Sequence, residues 1–299
     1  MNKTEKHIII PADVPHEQRM HYLNNYATLT QGTDHIFIFA ADQKMEHLNK
    51  DFSNPEHIQN PEDLFKLAAS KKIGCFAAHL GLIERYAASY PTIPYLVKLN
   101  GKTDLLSSEP LSTQLWSVAE AIALRDEQNL TICAVGYTIY LGSEHEQTML
   151  AQAAEIIHQA HASGLLACLW IYPRGLAVTN PHDPQLTAGA AGVAASLGAD
   201  IVKLYLPDNS PDSLPAIVTA AGNTKVIISG GAIMEPQALF AHIYENIHKG
   251  KIAGAAIGRN IFQHPFPEAL IILEICAQLI YHNYSLEQAY FHYQKAFKK

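Results

Sequence analysis

Cysteine is scarce in this chain: four in 299 residues, widely spaced at Cys75, Cys133, Cys168 and Cys276. No CxxC pair exists, so neither a zinc site nor a disulfide framework is suggested. Buried, reduced thiols in a cytoplasmic protein are the expectation. Charge is sparse too, at 16% Asp, Glu, Lys and Arg, with a formal net charge of −7. No basic run or stripe occurs, which argues against nucleic acid as a partner. No apolar run approaches a membrane span, and Met1 to Ile10 does not read as a signal peptide. No short repeat, low-complexity tract or Ser/Gly linker divides the chain, so residues 1–299 are expected to form a single domain. The sequence holds 16 histidines but no HExxH and no tight His/Asp cluster at a strand end. Metal dependence is therefore not expected.

What is present is a series of short apolar runs, within a composition that is 48% hydrophobic. After a mixed N-terminal extension with a helix around Pro15–Leu29, eight of them read as buried strands. They start at Ile36, Ile73, Pro94, Thr131, Leu165, Ala199, Lys225 and Ile252, the fourth spanning Thr131–Val135. Helical or loop-plus-helix stretches separate them, among them Pro61–Lys72, Gly81–Ser89, 112–127, Glu144–Ala162, Ala188–Leu197 and Glu235–Lys249. Two closing helices are expected over 266–281 and 285–298. Alternation of this kind indicates an α/β fold of the (β/α)8 TIM-barrel type, with its core at about 36–263. The competing open doubly wound sheet lacks a GxGxxG after its first strand.

The sixth run, Ala199-Asp200-Ile201-Val202-Lys203-Leu204-Tyr205-Leu206-Pro207, carries one lysine in its middle. Burying an ammonium there is costly unless it is paired or loses its proton. A neutral lysine is a nucleophile that forms a Schiff base with a carbonyl. The bland alternative is a lysine that snorkels to the strand end or pairs with Asp200.

In a barrel, reactive groups sit at the C-terminal strand ends. That rule selects Asp42, Lys98, Lys102, Trp170, Tyr172, Lys203, the turn Ser229-Gly230-Gly231 and the turn Gly258-Arg259. The last two turns follow strands seven and eight, the commonest phosphate position in such barrels. Paired glycines let backbone N–H groups approach an anion, and Arg259 adds a charged fork. Its bland alternative is an ion pair with a rim carboxylate such as Glu235. Trp170 and Tyr172 share a face, and Tyr172 suits proton transfer beside Lys203. Both could instead simply pack the barrel mouth. Asp42 either takes part in proton transfer or caps the following turn.

Several stretches together resemble one family. They are Val97-Lys98-Leu99-Asn100-Gly101, Val135-Gly136-Tyr137-Thr138-Ile139-Tyr140 with Gly142-Ser143, and Leu169-Trp170-Ile171-Tyr172-Pro173-Arg174-Gly175. Gly198-Ala199-Asp200-Ile201-Val202-Lys203, Ser229-Gly230-Gly231 and Gly258-Arg259-Asn260-Ile261-Phe262-Gln263 complete the set. In this order they resemble the archaeal-type class I fructose-1,6-bisphosphate aldolases. The resemblance implies a metal-free, cofactor-free lyase of glycolysis and gluconeogenesis, in which Lys203 forms the imine, Tyr172 transfers protons and Asp42 lies in the site. It also implies a phosphorylated sugar as substrate and a homo-oligomeric assembly. The family pattern at the first strand is Asp-His-Gly, whereas here Asp42 is followed by Gln43-Lys44-Met45-Glu46-His47. Substrate identity is therefore open between fructose 1,6-bisphosphate and another sugar phosphate, such as that of an aromatic-precursor synthase. A non-catalytic sugar-phosphate-binding protein and a metal-dependent aldolase are the remaining alternatives. Lys98 and Lys102 compete as partners of a second phosphate, and Gln43–Asn60 as a lid or an assembly contact.

Overall fold

The computed structural model describes residues 8–53, 58–70, 72–105, 109–207 and 210–297. Eight apolar runs become the parallel strands β1 (Ile36–Ala40), β2 (Cys75–His79), β3 (Tyr95–Lys98), β4 (Ile132–Leu141), β5 (Leu166–Pro173), β6 (Ile201–Leu204), β7 (Lys225–Ser229) and β8 (Gly254–Ile257). They follow one another around a closed barrel, and β8 pairs with β1 to seal it. Runs rich in Ile, Val, Phe and Ala suit this position because both faces of a barrel strand are covered. At the seal the backbones come very close: a Cβ at Gly254 (φ +153°) would stand 1.9 Å from the Ile36 carbonyl oxygen. Only glycine fits there.

Two elements near the barrel mouth depart from the sequence expectation. β4 runs on to Leu141 instead of ending near Val135, because it pairs with β5 residue by residue from Ala134–Leu166 to Leu141–Pro173. The expected helix over 112–127 starts only at Val118, where Ser117 and Glu120 form a reciprocal capping box. Upstream of it, Thr113–Gln114 pairs antiparallel with Asn100–Gly101 above the end of β3.

The N-terminal extension supplies the helix α1 (Arg19–Thr30), which packs under the barrel. There the Tyr22 hydroxyl donates to Asp200 Oδ1 at 2.6 Å, and His161 bridges Asp200 (3.1 Å) and Asp13 (2.9 Å). Asp200 also accepts from the Ala167 amide. Asp200 is thus committed at the opposite end of β6 from the barrel mouth, and pairing with Lys203 is ruled out. Burial lowers the proton affinity of His161, but the two carboxylates outweigh it and its pKa lies above the usual 6.5. The closing helices run over Phe266–Tyr281 and Leu286–Phe297. The Tyr281 hydroxyl receives the Phe37 amide of β1 and donates to the Leu29 carbonyl. All four cysteines are buried and free. Among the described residues no helix is long and apolar enough to cross a membrane. The first seven residues, and 54–57 of the long stretch after β1, lie outside the described residues.

Candidate active site

Registered partners in a sheet point to the same face. Lys203 is registered with Trp170 and Trp170 with Thr138, forming one inward row across β6, β5 and β4. Tyr172 and Tyr140 stand side by side one step nearer the mouth. On the other wall His79 is registered with Lys98, and Lys98 with Gly136. A Cβ at Gly136 would stand 2.5 Å from Trp170 Cζ3 and 2.7 Å from Leu96 Cδ2. The missing side chain is therefore the space that the indole fills.

Lys203 is only 4% exposed and Trp170 1%. The Lys203 and Lys98 ammonium nitrogens both lie 5.3 Å from the Trp170 ring centre. Burial drives the pKa of Lys203 below its usual 10.5, partly opposed by the carboxylate of Asp42. Lys98 is lowered for the same first reason. Burial pushes the Asp42 pKa up, but the nearby charges of Lys203 and Lys98 outweigh it and bring it below 3.8. Burial holds the Tyr172 phenol well above 10, and its ring stacks on Tyr205 at 4.2 Å. Burial and Lys98 push His79 down to about 4, so it stands as a neutral imidazole beside the Asn100 carbonyl at 3.1 Å.

Asp42 Oδ1 and Trp170 Nε1 are buried with no hydrogen-bond partner among the described residues. Asp42 makes no side-chain cap to the short helix α2 (Gln43–Glu46) that follows it. The capping alternative is thereby removed. A buried acceptor and a buried donor left without partners are groups that a polar ligand would satisfy.

The turns after β7 and β8 meet as expected. Gly231 has φ +67° and open space around its Cα, while Arg259 Nη2 donates to the Gly231 carbonyl at 3.0 Å. Asn260, which the motif contained without a role, braces the turn. Its side chain donates to the Gly230 and Ala232 carbonyls and accepts from the Met234 amide. The rim carboxylate near Arg259 is Asp51 at 3.8 Å, not Glu235. Ser229 ends β7 and Gly258 follows β8 on the same rim.

Four further groups escaped the sequence reading. Asn100 is fully buried and holds the mouth together: it receives Lys98 Nζ at 3.1 Å and the Thr138 amide at 2.8 Å, and donates to the Thr138 and Ser112 carbonyls. Glu46 accepts the Tyr140 hydroxyl at 2.9 Å. The segment carrying Glu46 lies over the mouth: Gln263 donates to the Asp51 carbonyl, and Phe52 stacks on Phe262 at 4.9 Å. His79 and Tyr140 complete the group. A side chain that converges only through tertiary closure leaves no local pattern, although Asn100 and Tyr140 do stand inside the quoted motifs.

A desolvated strand lysine with a carboxylate acting on it is the arrangement of an imine-forming lyase. Comparison with known proteins agrees. A model of the DeoC/LacD family aldolases matches residues 36–264. The chain is 42% identical over 95% of its length, and 94% of the relative's, to the fructose-bisphosphate aldolase/6-deoxy-5-ketofructose 1-phosphate synthase of Methanocaldococcus jannaschii. A solved fructose-bisphosphate aldolase from Slackia heliotrinireducens superimposes with a TM-score of 0.93 at 39% identity, covering 98% of this chain and 95% of that one. An archaeal fructose-1,6-bisphosphate aldolase, solved with its catalytic Lys covalently bound to the carbinolamine intermediate of the substrate, superimposes with a TM-score of 0.78. It is 31% identical, over 87% of this chain and 99% of that one. The chain belongs to the DeoC/LacD family of aldolases, in its archaeal-type class I fructose-bisphosphate branch.

Proposed function

We propose that this chain cleaves fructose 1,6-bisphosphate reversibly to dihydroxyacetone phosphate and glyceraldehyde 3-phosphate through an imine on Lys203. The observation that carries the reading is a lysine buried at the mouth end of β6, with its pKa driven down and the Asp42 carboxylate beside it. Neutral Lys203 attacks C2, and loss of water leaves an iminium. When the C4 hydroxyl gives up its proton, the C3–C4 bond electrons flow into that iminium. The aldehyde departs and an enamine remains. Protonation at C3 and hydrolysis release dihydroxyacetone phosphate and free the lysine. Tyr172 is the proton carrier and Asp42 its electrostatic partner. Trp170 and Lys98 shape the pocket around the carbonyl. Ser229, Gly230, Gly231, Gly258 and Arg259 anchor the C1 phosphate, and such positioning removes roughly several kcal/mol of entropic barrier.

The altered stretch after Asp42 favours a second reading, in which the same imine chemistry serves another sugar phosphate. The double name of the Methanocaldococcus relative supports keeping both. A homo-oligomer is part of the proposal, with Phe291 and Phe297 of the last helix, both exposed, as contact residues. Borohydride trapping tests the core of the reading. With fructose 1,6-bisphosphate and EDTA present, a triose-phosphate adduct on Lys203 is expected. No adduct on any lysine of the folded protein would end the Schiff-base reading.

A further inference from the structure

The barrel order lays out the substrate. The turns of β7 and β8 take one phosphate, β6 supplies the lysine, and β5 and β4 come next around the wall. A ketose anchored in that direction brings its distal half against the exits of β5 and β4. The cation waiting there is Arg174, two residues past Tyr172 and 48% exposed at its side chain. The other two basic candidates are engaged elsewhere. Lys98 is buried and tied to Asn100, and Lys102 is tied to Asp104 at 3.0 Å and to the Thr103 carbonyl.

Arg174 is not alone. Its Nη1 lies 3.9 Å from Glu46 Oε1, and its guanidinium carbon lies 5.7 Å from the Tyr140 ring centre. The Glu46 carboxylate is itself held by the Tyr140 hydroxyl, and the Glu46 carbonyl receives the Asp104 amide at 2.9 Å. The Glu46 carboxylate is thus held by the Tyr140 hydroxyl, and its backbone by the Asp104 amide, beside the half-exposed Arg174 guanidinium at the exit of β5. It half-neutralises a site that would otherwise favour a dianion.

We infer that Glu46 is a specificity-determining residue that sets how strongly this aldolase prefers a phosphate at the far end of its substrate. The inference rests on the proposed ketose-phosphate reading. By holding Arg174, Glu46 lets the site accept aldehydes that carry a hydroxyl or a methyl group in that place as well as those that carry a phosphate.

The test compares kcat/KM for fructose 1,6-bisphosphate and fructose 1-phosphate in the wild type and in Glu46→Gln, Glu46→Asp and Glu46→Gln/Arg174→Met. A unit positive charge freed on Arg174 at about 6 Å from a dianion, in near-aqueous surroundings, changes its binding about tenfold. Glu46→Gln is expected to raise the bisphosphate-to-monophosphate ratio by about that factor, chiefly through the KM of the bisphosphate. Glu46→Asp keeps the charge and returns the ratio towards the wild-type value. In the double variant the gain disappears, because the cation that Glu46 restrains is gone. A ratio unmoved by Glu46→Gln, or a gain that survives Arg174→Met, overturns the inference. Borohydride trapping with dihydroxyacetone phosphate is run on the same samples. Loss of the Lys203 adduct in the wild type would point to failure of the aldolase reading itself, whereas an intact adduct with an unmoved ratio refutes only the role of Glu46.

Discussion

Gly136→Ala tests whether the active-site geometry depends on the seat of one indole. The new Cβ would stand 2.5 Å from Trp170 Cζ3 and 2.9 Å from Cη2. Carbon atoms pack at about 3.5–4.0 Å, so the ring must withdraw by roughly 1 Å. Trp170 is buried among core side chains and cannot withdraw freely. Overpacking of this kind costs about 1–3 kcal/mol, which corresponds to an apparent Tm lower by roughly 2–6 °C in a domain of this size. The ring is also the surface beside which Lys203 and Lys98 both lie. A misplacement of about 1 Å at reacting groups costs on the order of 10²-fold in rate. Calorimetry and steady-state kinetics on the purified variant read both effects. Trp170→Phe added to Gly136→Ala removes the indole atoms that clash, leaving Leu96 Cδ2 at 2.7 Å, and should restore part of the lost Tm. A Gly136→Ala protein with wild-type Tm and wild-type kcat/KM would refute the reasoning.

Two further outcomes follow from the electrostatics. Burial lowers Lys203 and Asp42 opposes that shift, so Asp42→Asn should move the pH midpoint of borohydride trapping on Lys203 to lower pH; a midpoint that stays or rises contradicts the account. His161 has a raised pKa in the folded state, so its contribution is complete below pH 6.5 and is lost as pH rises through the folded value. Asp200→Asn should remove about 2–4 kcal/mol, less than a wholly buried pair because Asp13 remains. Urea unfolding at pH 6 and pH 8 should show that the loss is larger at pH 6; an equal loss at both would disprove the linkage.

The strands were legible in the sequence because a barrel strand is covered on both faces and reads as an unbroken apolar run. Lys203 was conspicuous for the same reason, as a charge set inside such a run. The partners of Lys203 were harder to read. Asp200 is three residues away in sequence and yet serves the opposite end of the barrel, while Asp42 reaches the lysine from β1 across the closed cylinder. Local spacing says nothing about such pairs. β4 continues through Gly136, a residue type that weakens a strand, because the glycine makes room for the Trp170 ring. Asn100 and Glu46 act through contacts with strands and loops 38 and 94 residues further along, a separation that no periodicity reveals.

Trp170 has one more consequence. The chain contains only two tryptophans, and this one stands 5.3 Å from the nitrogen proposed to change its bonding in each turnover. Its emission is a built-in optical signal. Conversion of that amine to an imine alters the field at the indole, so covalent capture of a substrate can be followed in real time, in the unlabelled protein, before any product leaves.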